Sequence, residues 1–112
     1  MGDFDFKNNK EKPLNQQKVI ADPDFIEVDL TSECRFIVLA CDGIWDCKSN
    51  QECVDFILKE VYSNAEFETN PDHVIMYGLS ALLNDCCVDE IEGPVDVGTD
   101  NMTAILVDLK RG

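Results

Sequence analysis

The chain has 112 residues, 45% of them hydrophobic, so it can form one small domain or part of a larger one. Its 23 acidic and 9 basic residues give a formal net charge of −14, which argues against sequence-independent binding to nucleic acid or to an anionic membrane. No apolar stretch approaches the roughly 20 residues that a membrane-spanning helix needs. We therefore expect neither nucleic acid nor membrane as a partner.

Six cysteines in a short chain raise the question of disulfides, which need an oxidising compartment. The polar residues 1–12 contain no apolar core of a signal peptide. The cysteines form no CxxC pair and His73 is the only histidine, which argues against a zinc site. We expect a reduced, intracellular protein, cytoplasmic or nuclear, in which Cys41 and Cys53 act as small core side chains.

Two strands are predicted in the first half of the chain. Residues 25–30 alternate between apolar and acidic side chains, a pattern typical of a half-buried strand. Residues 35–41 form a nearly continuous apolar run, typical of a strand that is buried on both faces. Because residues 31–33 make a tight connection between them, an antiparallel hairpin is predicted.

Two helices and a closing strand are predicted in the second half. The first helix is expected over 50–62, because Ser49 and Glu52 can form a capping box and apolar residues then recur at helical spacing. The second helix begins at Pro71, a residue that favours the first position of a helix. The apolar residues of 103–109 predict the closing strand.

The acidic segment 88–99 is interrupted by Gly93 and Pro94 and is expected to be a loop before the closing strand. The resulting order is strand, strand, helix, helix, strand. Two apolar helix faces need a sheet to cover, and only about three strands are available for it. The sequence therefore predicts an α+β chain that forms part of a layered sandwich and is incomplete by itself.

Two aspartates stand at the ends of predicted strands. Asp42 follows the buried strand, and Asp100 comes just before the closing strand. If these strands pair antiparallel, both carboxylates converge at one end of the sheet, where their mutual repulsion favours a shared proton or cation. Mg²⁺ typically takes one or two carboxylates and several waters. The pair thus predicts a metal site, although an aspartate at a strand end is, taken alone, more often a turn residue.

Residues beside the two aspartates are expected to support them. Gly43 lets the backbone turn sharply and leaves room near an ion. Asn101 and Thr103 are expected to hold the loop that carries the second aspartate, and the glycosylation pattern that they form is expected to be unused. We expect Trp45 to be a core anchor and Asp46 to be a hydrogen-bonding turn residue.

Four motifs in this order resemble those of one protein family. They are GDF at 2–4, FIVLACDGIWD at 36–46, SNQE at 49–52 and DNMTAILV at 100–107. Together they are similar to the C-terminal half of the PP2C (PPM) family of metal-dependent protein serine/threonine phosphatases. The resemblance covers essentially the whole chain and identifies residues 1–112 as the C-terminal portion of a single phosphatase domain.

The resemblance implies a fold and a chemistry. The fold is a PP2C-like α-β-β-α sandwich, in which two antiparallel sheets are flanked by helices and a binuclear Mg²⁺ or Mn²⁺ centre lies at one end. Asp42 and Asp100 match the metal-binding aspartates of the family, and no further catalytic side chain is expected in this chain. The implied reaction is hydrolysis of phosphoserine and phosphothreonine in phosphoprotein substrates, with metal-activated water as the nucleophile.

Several family motifs do not occur in the 112 residues: the phosphate-binding arginine, the Glu-Asp pair and the Asp-Gly-His-Gly motif. His73 is expected to be a surface residue and no substitute for them. We therefore expect the isolated chain to be inactive, because two carboxylates cannot assemble two bridged ions. Its partner in the complete protein is expected to be the upstream half of the same domain. Uncovered sheet edges and helix faces would make the isolated chain tend to self-associate.

Two other functions remain open at this point. The chain could belong to a non-catalytic binding module, or pseudophosphatase, that keeps the fold and binds partners through its surface. It could also be a small acidic cation-binding protein in its own right. The presence of upstream metal ligands would favour the phosphatase over both alternatives.

Overall fold

The computed structural model describes residues 2–87 and 98–110. The chain divides into two compact units, Met1–Thr31 and Ser32–Gly112. The second unit carries the regular secondary structure apart from two short 3₁₀ turns, and its elements are β1 (Phe36–Ala40), α1 (Asp42–Trp45), α2 (Asn50–Ile57), a π-helical turn (Leu58–Tyr62), α3 (Pro71–Cys86) and β2 (Ala104–Asp108). Helices and an antiparallel sheet together make this an α+β chain, as predicted.

The first unit is held by side-chain hydrogen bonds rather than by a core. Its 3₁₀ turns are Phe4–Phe6 and Leu14–Gln16. The Gln17 amide nitrogen donates to the carbonyl oxygens of Asn9 and Lys12 at 2.7 and 2.8 Å, and so closes the intervening loop. Every residue of this unit that the structure describes is exposed or only partly buried.

Residues 25–30 form no strand, and the predicted hairpin with residues 35–41 is wrong. All six of these residues are exposed. An alternating pattern stabilises a strand only where one of its faces becomes buried and its backbone finds a partner. Neither condition holds for this segment.

The sheet is formed instead by β1 and β2, which pair antiparallel from Phe36 opposite Asp108 to Ala40 opposite Ala104. This confirms the pairing on which the predicted convergence of the two strand ends depends. Burial alternates along both strands. The prediction that the first of them is buried on both faces is therefore wrong, because the helices cover only one face of the sheet.

The two faces of the sheet can be defined by their apolar residues. The inner face packs against the buried cluster beneath the helices and consists of Phe36, Val38, Ala104 and Leu106. The outer face is exposed and consists of Ile37, Leu39, Ile105 and Val107. Since successive side chains of a strand point to opposite sides, both faces follow from the same two apolar runs.

Helix α2 begins with the predicted capping box. The Ser49 hydroxyl accepts a hydrogen bond from the backbone nitrogen of Glu52 at 3.3 Å, and the Glu52 carboxylate accepts one from the backbone nitrogen of Ser49 at 2.9 Å. The helix continues to Tyr62, as expected, but its last turn widens to π geometry, in which the backbone nitrogen of Ser63 donates to the carbonyl of Leu58. Helix α3 begins at Pro71, which confirms the second predicted start.

The core lies between the sheet and the two long helices. Gly78 of α3 sits so close to the π turn that a Cβ atom there would be 2.3 Å from Cγ2 of Val61. A glycine at this position therefore lets the two helical segments approach closely. The buried cluster confirms the predicted role of Cys53 and consists of Cys53, Ile57, Val61, Phe67, Val74 and Leu82.

Most of the acidic segment predicted as a loop lies outside the described residues. Only Gly98 and Thr99 of it are described, and Gly98 has a φ of 89°, a left-handed conformation that favours glycine. None of the helices in the described part of the chain is both long and apolar enough to span a membrane.

Candidate metal centre

The C-terminal end of β1 and the N-terminal end of β2 lie together because the strands are antiparallel. Beyond their last residue pair, the Cys41 backbone nitrogen donates to the Thr103 carbonyl oxygen at 3.2 Å. The Cys41 thiol donates to the Asn101 carbonyl oxygen at 3.3 Å and accepts from the Thr103 backbone nitrogen at 3.2 Å. The segment that carries Asp100 is thus bound directly to the residue that precedes Asp42.

Gly43 provides a second contact between the same two segments. A Cβ atom at this buried glycine would be 2.6 Å from the Asn101 carbonyl oxygen and 2.9 Å from Cγ of Met102. Any side chain here would therefore push the segments apart. The space beside Gly43 is filled by the neighbouring backbone, and each predicted metal ligand is one residue away from this contact.

Asp42 is the first residue of α1, and its side chain is exposed. Its Oδ1 accepts a hydrogen bond from the backbone nitrogen of Gly43 at 3.0 Å. Backbone N–H groups at the start of a helix have no acceptor within the helix, and a carboxylate there can supply one. These contacts orient the carboxylate at the sheet end while leaving it accessible to water and ions.

Asp100 is held in a similar way. Its Oδ1 accepts from the backbone nitrogen of Asn101 at 2.7 Å, and its side chain is exposed. Asn101 and Thr103 are exposed too, and both bind Cys41 through their backbone atoms. The support that they give to this loop therefore comes from the main chain.

The donor chemistry of this sheet end fits a hard divalent cation. Two exposed carboxylates supply oxygen ligands, and Mg²⁺ commonly completes its shell with several waters. Among the described residues there is no group of three or more histidine, cysteine, aspartate or glutamate side chains placed to hold a metal. Further ligands would therefore come from outside these described side chains, and waters commonly supply several of them.

The remaining predicted residues near this end have different roles. Trp45 is not a core anchor: it is 36% exposed, and its indole nitrogen donates to the Ala40 carbonyl oxygen at 2.9 Å. The core position in this four-residue helix is taken by Ile44, which is fully buried. Asp46 follows the helix, and its backbone nitrogen donates to the Asp42 carbonyl oxygen at 2.8 Å.

His73 and Cys41 lie outside the predicted metal pair, and only the first has the burial that the sequence predicts. His73 is exposed on α3, as predicted. Cys41, expected to be a core side chain, is only partly buried, and its thiol instead joins the two strand ends. The sequence shows only that Cys41 follows an apolar strand. It does not show this linking role, because the partners of the thiol come 60 and 62 residues later.

The model of the protein phosphatase 2C family matches residues 1–81. The chain belongs to the protein phosphatase 2C family. This confirms the resemblance carried by the sequence motifs. Membership of this family also implies a dependence on metal ions in general, in accord with the exposed carboxylates at the sheet end.

Relatives across plants, animals and fungi align with nearly the whole chain. A probable protein phosphatase 2C 21 of Arabidopsis thaliana is 42% identical, with 99% of this chain and 28% of the relative covered. A probable protein phosphatase 2C of Caenorhabditis elegans is 40% identical, with 100% of this chain and 29% of the relative covered. Protein phosphatase 2C homolog 3 of Schizosaccharomyces pombe is 35% identical, with 97% of this chain and 24% of the relative covered. The chain thus spans between 24% and 29% of the length of these relatives.

Proposed function

We propose that this chain is the C-terminal portion of the catalytic domain of a metal-dependent phosphatase that hydrolyses phosphoserine and phosphothreonine in proteins. The observation that carries the proposal is the contact between the segments bearing Asp42 and Asp100. Cys41 and Gly43 bring these segments together at one end of the sheet. In a member of the protein phosphatase 2C family, two exposed carboxylates at this place are suited to bind Mg²⁺ or Mn²⁺.

In this proposal each residue of the sheet end has a distinct task. Asp42 and Asp100 bind metal, while Gly43 and the backbone of Asn101 and Thr103 keep the two segments in contact. When bound, the ions supply a water of lowered pKa and neutralise negative charge on the phosphoryl group. The chain's own contribution is to hold two carboxylates at one end of a sheet where phosphoprotein substrates can reach them.

The complete domain is proposed to be the α-β-β-α sandwich of the family, with residues 1–112 as its C-terminal portion. Support comes from the exposed outer face of the sheet and from the 28% of a relative's length that this chain represents. The upstream half would cover the outer face and add the missing ligands. The isolated chain is therefore proposed to be inactive and prone to self-association, and the complete protein to be intracellular.

The test uses the complete protein with Asp42→Asn and Asp100→Asn, which keep side-chain shape but remove the charge. Phosphatase activity on a phosphothreonine peptide is measured as Mn²⁺ is titrated. Each variant should lose more than about 100-fold in activity or need correspondingly more metal. Asp72→Asn is the matched control, since this exposed aspartate lies at the start of α3, whose opposite end contacts Cys47, and it should keep activity within about twofold of the wild-type rate.

Activity that survives both substitutions at wild-type metal concentrations would refute the assigned roles. A complete wild-type protein that folds, binds metal and yet shows no turnover would support the non-catalytic module instead. The free energy of unfolding should be measured for each variant, because an unfolded variant says nothing about metal binding.

A further inference from the structure

Two cysteines meet where the end of α1 lies against the end of α3. Cys47 follows α1, and Cys86 is the last residue of α3. The Cys47 thiol donates a hydrogen bond to the Cys86 backbone oxygen at 3.4 Å, although 39 positions separate the two residues in sequence. Both thiols are free; that of Cys86 is buried, whereas Cys47 is partly exposed.

The residues next to these two cysteines also join the end of α1 to the end of α3. Lys48 and Asp85 form an ion pair, so the position after Cys47 is joined to the position before Cys86. The Lys48 side chain is largely shielded from solvent, and its hydrogen bond to Asp85 raises the pKa of Lys48. The backbones of the two segments are thus held by adjacent contacts that keep the cysteine side chains together.

The two thiols also differ in reactivity. Burial, followed by the neighbouring Cys47 thiol, raises the pKa of Cys86 to about 11, so Cys86 stays protonated at neutral pH. Cys47 is the one that a dissolved oxidant can reach. Oxidation of this pair should therefore begin at Cys47, and the raised pKa of Cys86 should make its attack on the oxidised Cys47 the slower step.

We propose that Cys47 and Cys86 form a reversible disulfide that links the segment after α1 to the end of α3. The Cys47 sulfur attacks one oxygen of hydrogen peroxide, the O–O bond breaks, and Cys47 becomes a sulfenic acid while its proton and the departing hydroxide form water. The Cys86 sulfur then attacks the sulfenic sulfur, an S–S bond forms, and water is released with the Cys86 proton. In total, two thiols and one peroxide give one disulfide and two waters, and a dithiol reductant reverses the change.

The bridge would enclose α2, the π turn, nearly all of α3 and the turns between them, and this stretch of chain contains all members of the buried cluster. A cross-link around such a segment restricts the unfolded chain and so stabilises the folded one. Oxidation should raise the midpoint of thermal unfolding by roughly 10 °C. This proposal is independent of the proposed phosphatase function, since it concerns thiols and needs no metal.

The experiment uses the reduced complete protein, treated with hydrogen peroxide at neutral pH. Remaining thiols are blocked with N-ethylmaleimide, and the proteolytic peptides are identified by mass spectrometry. We expect one peptide pair linked through Cys47 and Cys86, together with a raised unfolding midpoint that dithiothreitol reverses. Cys47→Ser should abolish both results, and the matched control Cys87→Ser, next to Cys86 but exposed, should keep both.

The peptide map of the wild-type chain decides the outcome even if a variant fails to fold. A bridge between Cys47 and Cys87, or between Cys86 and Cys87, would overturn the proposal. So would a map containing only intermolecular bridges or only singly oxidised cysteines.

Discussion

The inner and outer faces of the β1–β2 sheet are similar in sequence but differ in what covers them. On the inner face, side chains such as Phe36 and Leu106 pack against the cluster formed by the helices. On the outer face, the exposed fractions are 40% for Ile37, 50% for Leu39 and 55% for Ile105. An apolar alternation therefore shows which side chains share a face, whereas burial depends on whether a second layer is present. Among the described residues no second layer covers the outer face, and the chain spans 24% to 28% of the length of two of its relatives.

The largest expected change in the free energy of unfolding comes from replacing leucine by alanine beneath the inner face, compared with the same replacement on the outer face. Leu82→Ala removes a fully buried side chain from the core and should lower the free energy of unfolding by about 2–5 kcal/mol. Leu39→Ala acts on a half-exposed residue of the outer face and should lower it by about 1 kcal/mol or less. Urea denaturation of both variants measures the difference.

Equal losses for the two variants would contradict the contrast between the faces. A loss for Leu39→Ala that grows with chain concentration would show that another copy covers the outer face. The measurement should therefore be repeated over a wide range of concentrations.

An intermediate effect is expected where helices approach closely on the inner side. Gly78→Ala places a methyl group against Val61 and should lower the free energy of unfolding by about 1–3 kcal/mol. Ser80→Ala is the control, because Ser80 is exposed on the same helix and alanine favours helices. Adding Val61→Ala to Gly78→Ala should relieve the clash, so the two losses should not be additive. Strict additivity in a double-mutant cycle would contradict the contact.

The smallest effect concerns the start of α2. Hydrogen bonds from the Ser49 hydroxyl and backbone nitrogen lower the pKa of Glu52. This capping box therefore contributes its full stability at pH values above the ordinary pKa of a glutamate side chain. That contribution is lost as the pH falls through the lowered pKa of Glu52. Ser49→Ala should cost about 1 kcal/mol at neutral pH and should raise the titration midpoint of Glu52.

NMR titration of the Glu52 carboxyl carbon provides this measurement. Ser63→Ala is the matched control, since the Ser63 hydroxyl binds the Leu58 carbonyl at the other end of the helical segment. The control should leave the Glu52 midpoint unchanged. An unchanged midpoint in Ser49→Ala itself would show that the hydroxyl does not hold the carboxylate.

Features set by local interactions were predictable from the sequence. The capping box of Ser49 and Glu52 and the proline at position 71 mark helix starts through contacts within a few residues. The strand over 25–30 was predicted from an equally regular pattern, yet it does not form. Its stability would depend on a distant partner, which no local pattern specifies.

For the candidate site, the sequence predicted which strand ends converge but not the side-chain contacts that hold them together. Asp42 and Asp100 follow from strand order and antiparallel pairing, because these alone bring two strand ends together. The thiol of Cys41 could not be assigned in this way, since its role depends on the exact approach of a segment far along the chain. Whether Trp45 or Ile44 faces the core likewise depends on the packing of a single helical turn.

The bond between Cys41 and Asn101 joins positions 60 residues apart. During translation, the ribosome must therefore release the whole helical region before the two aspartates can come together. Contacts of such long range form late, because closing a large loop is entropically unfavourable. A nascent chain that stops before β2 would leave β1, which leads into Asp42, without its partner strand, and an unpaired strand edge favours association with other chains.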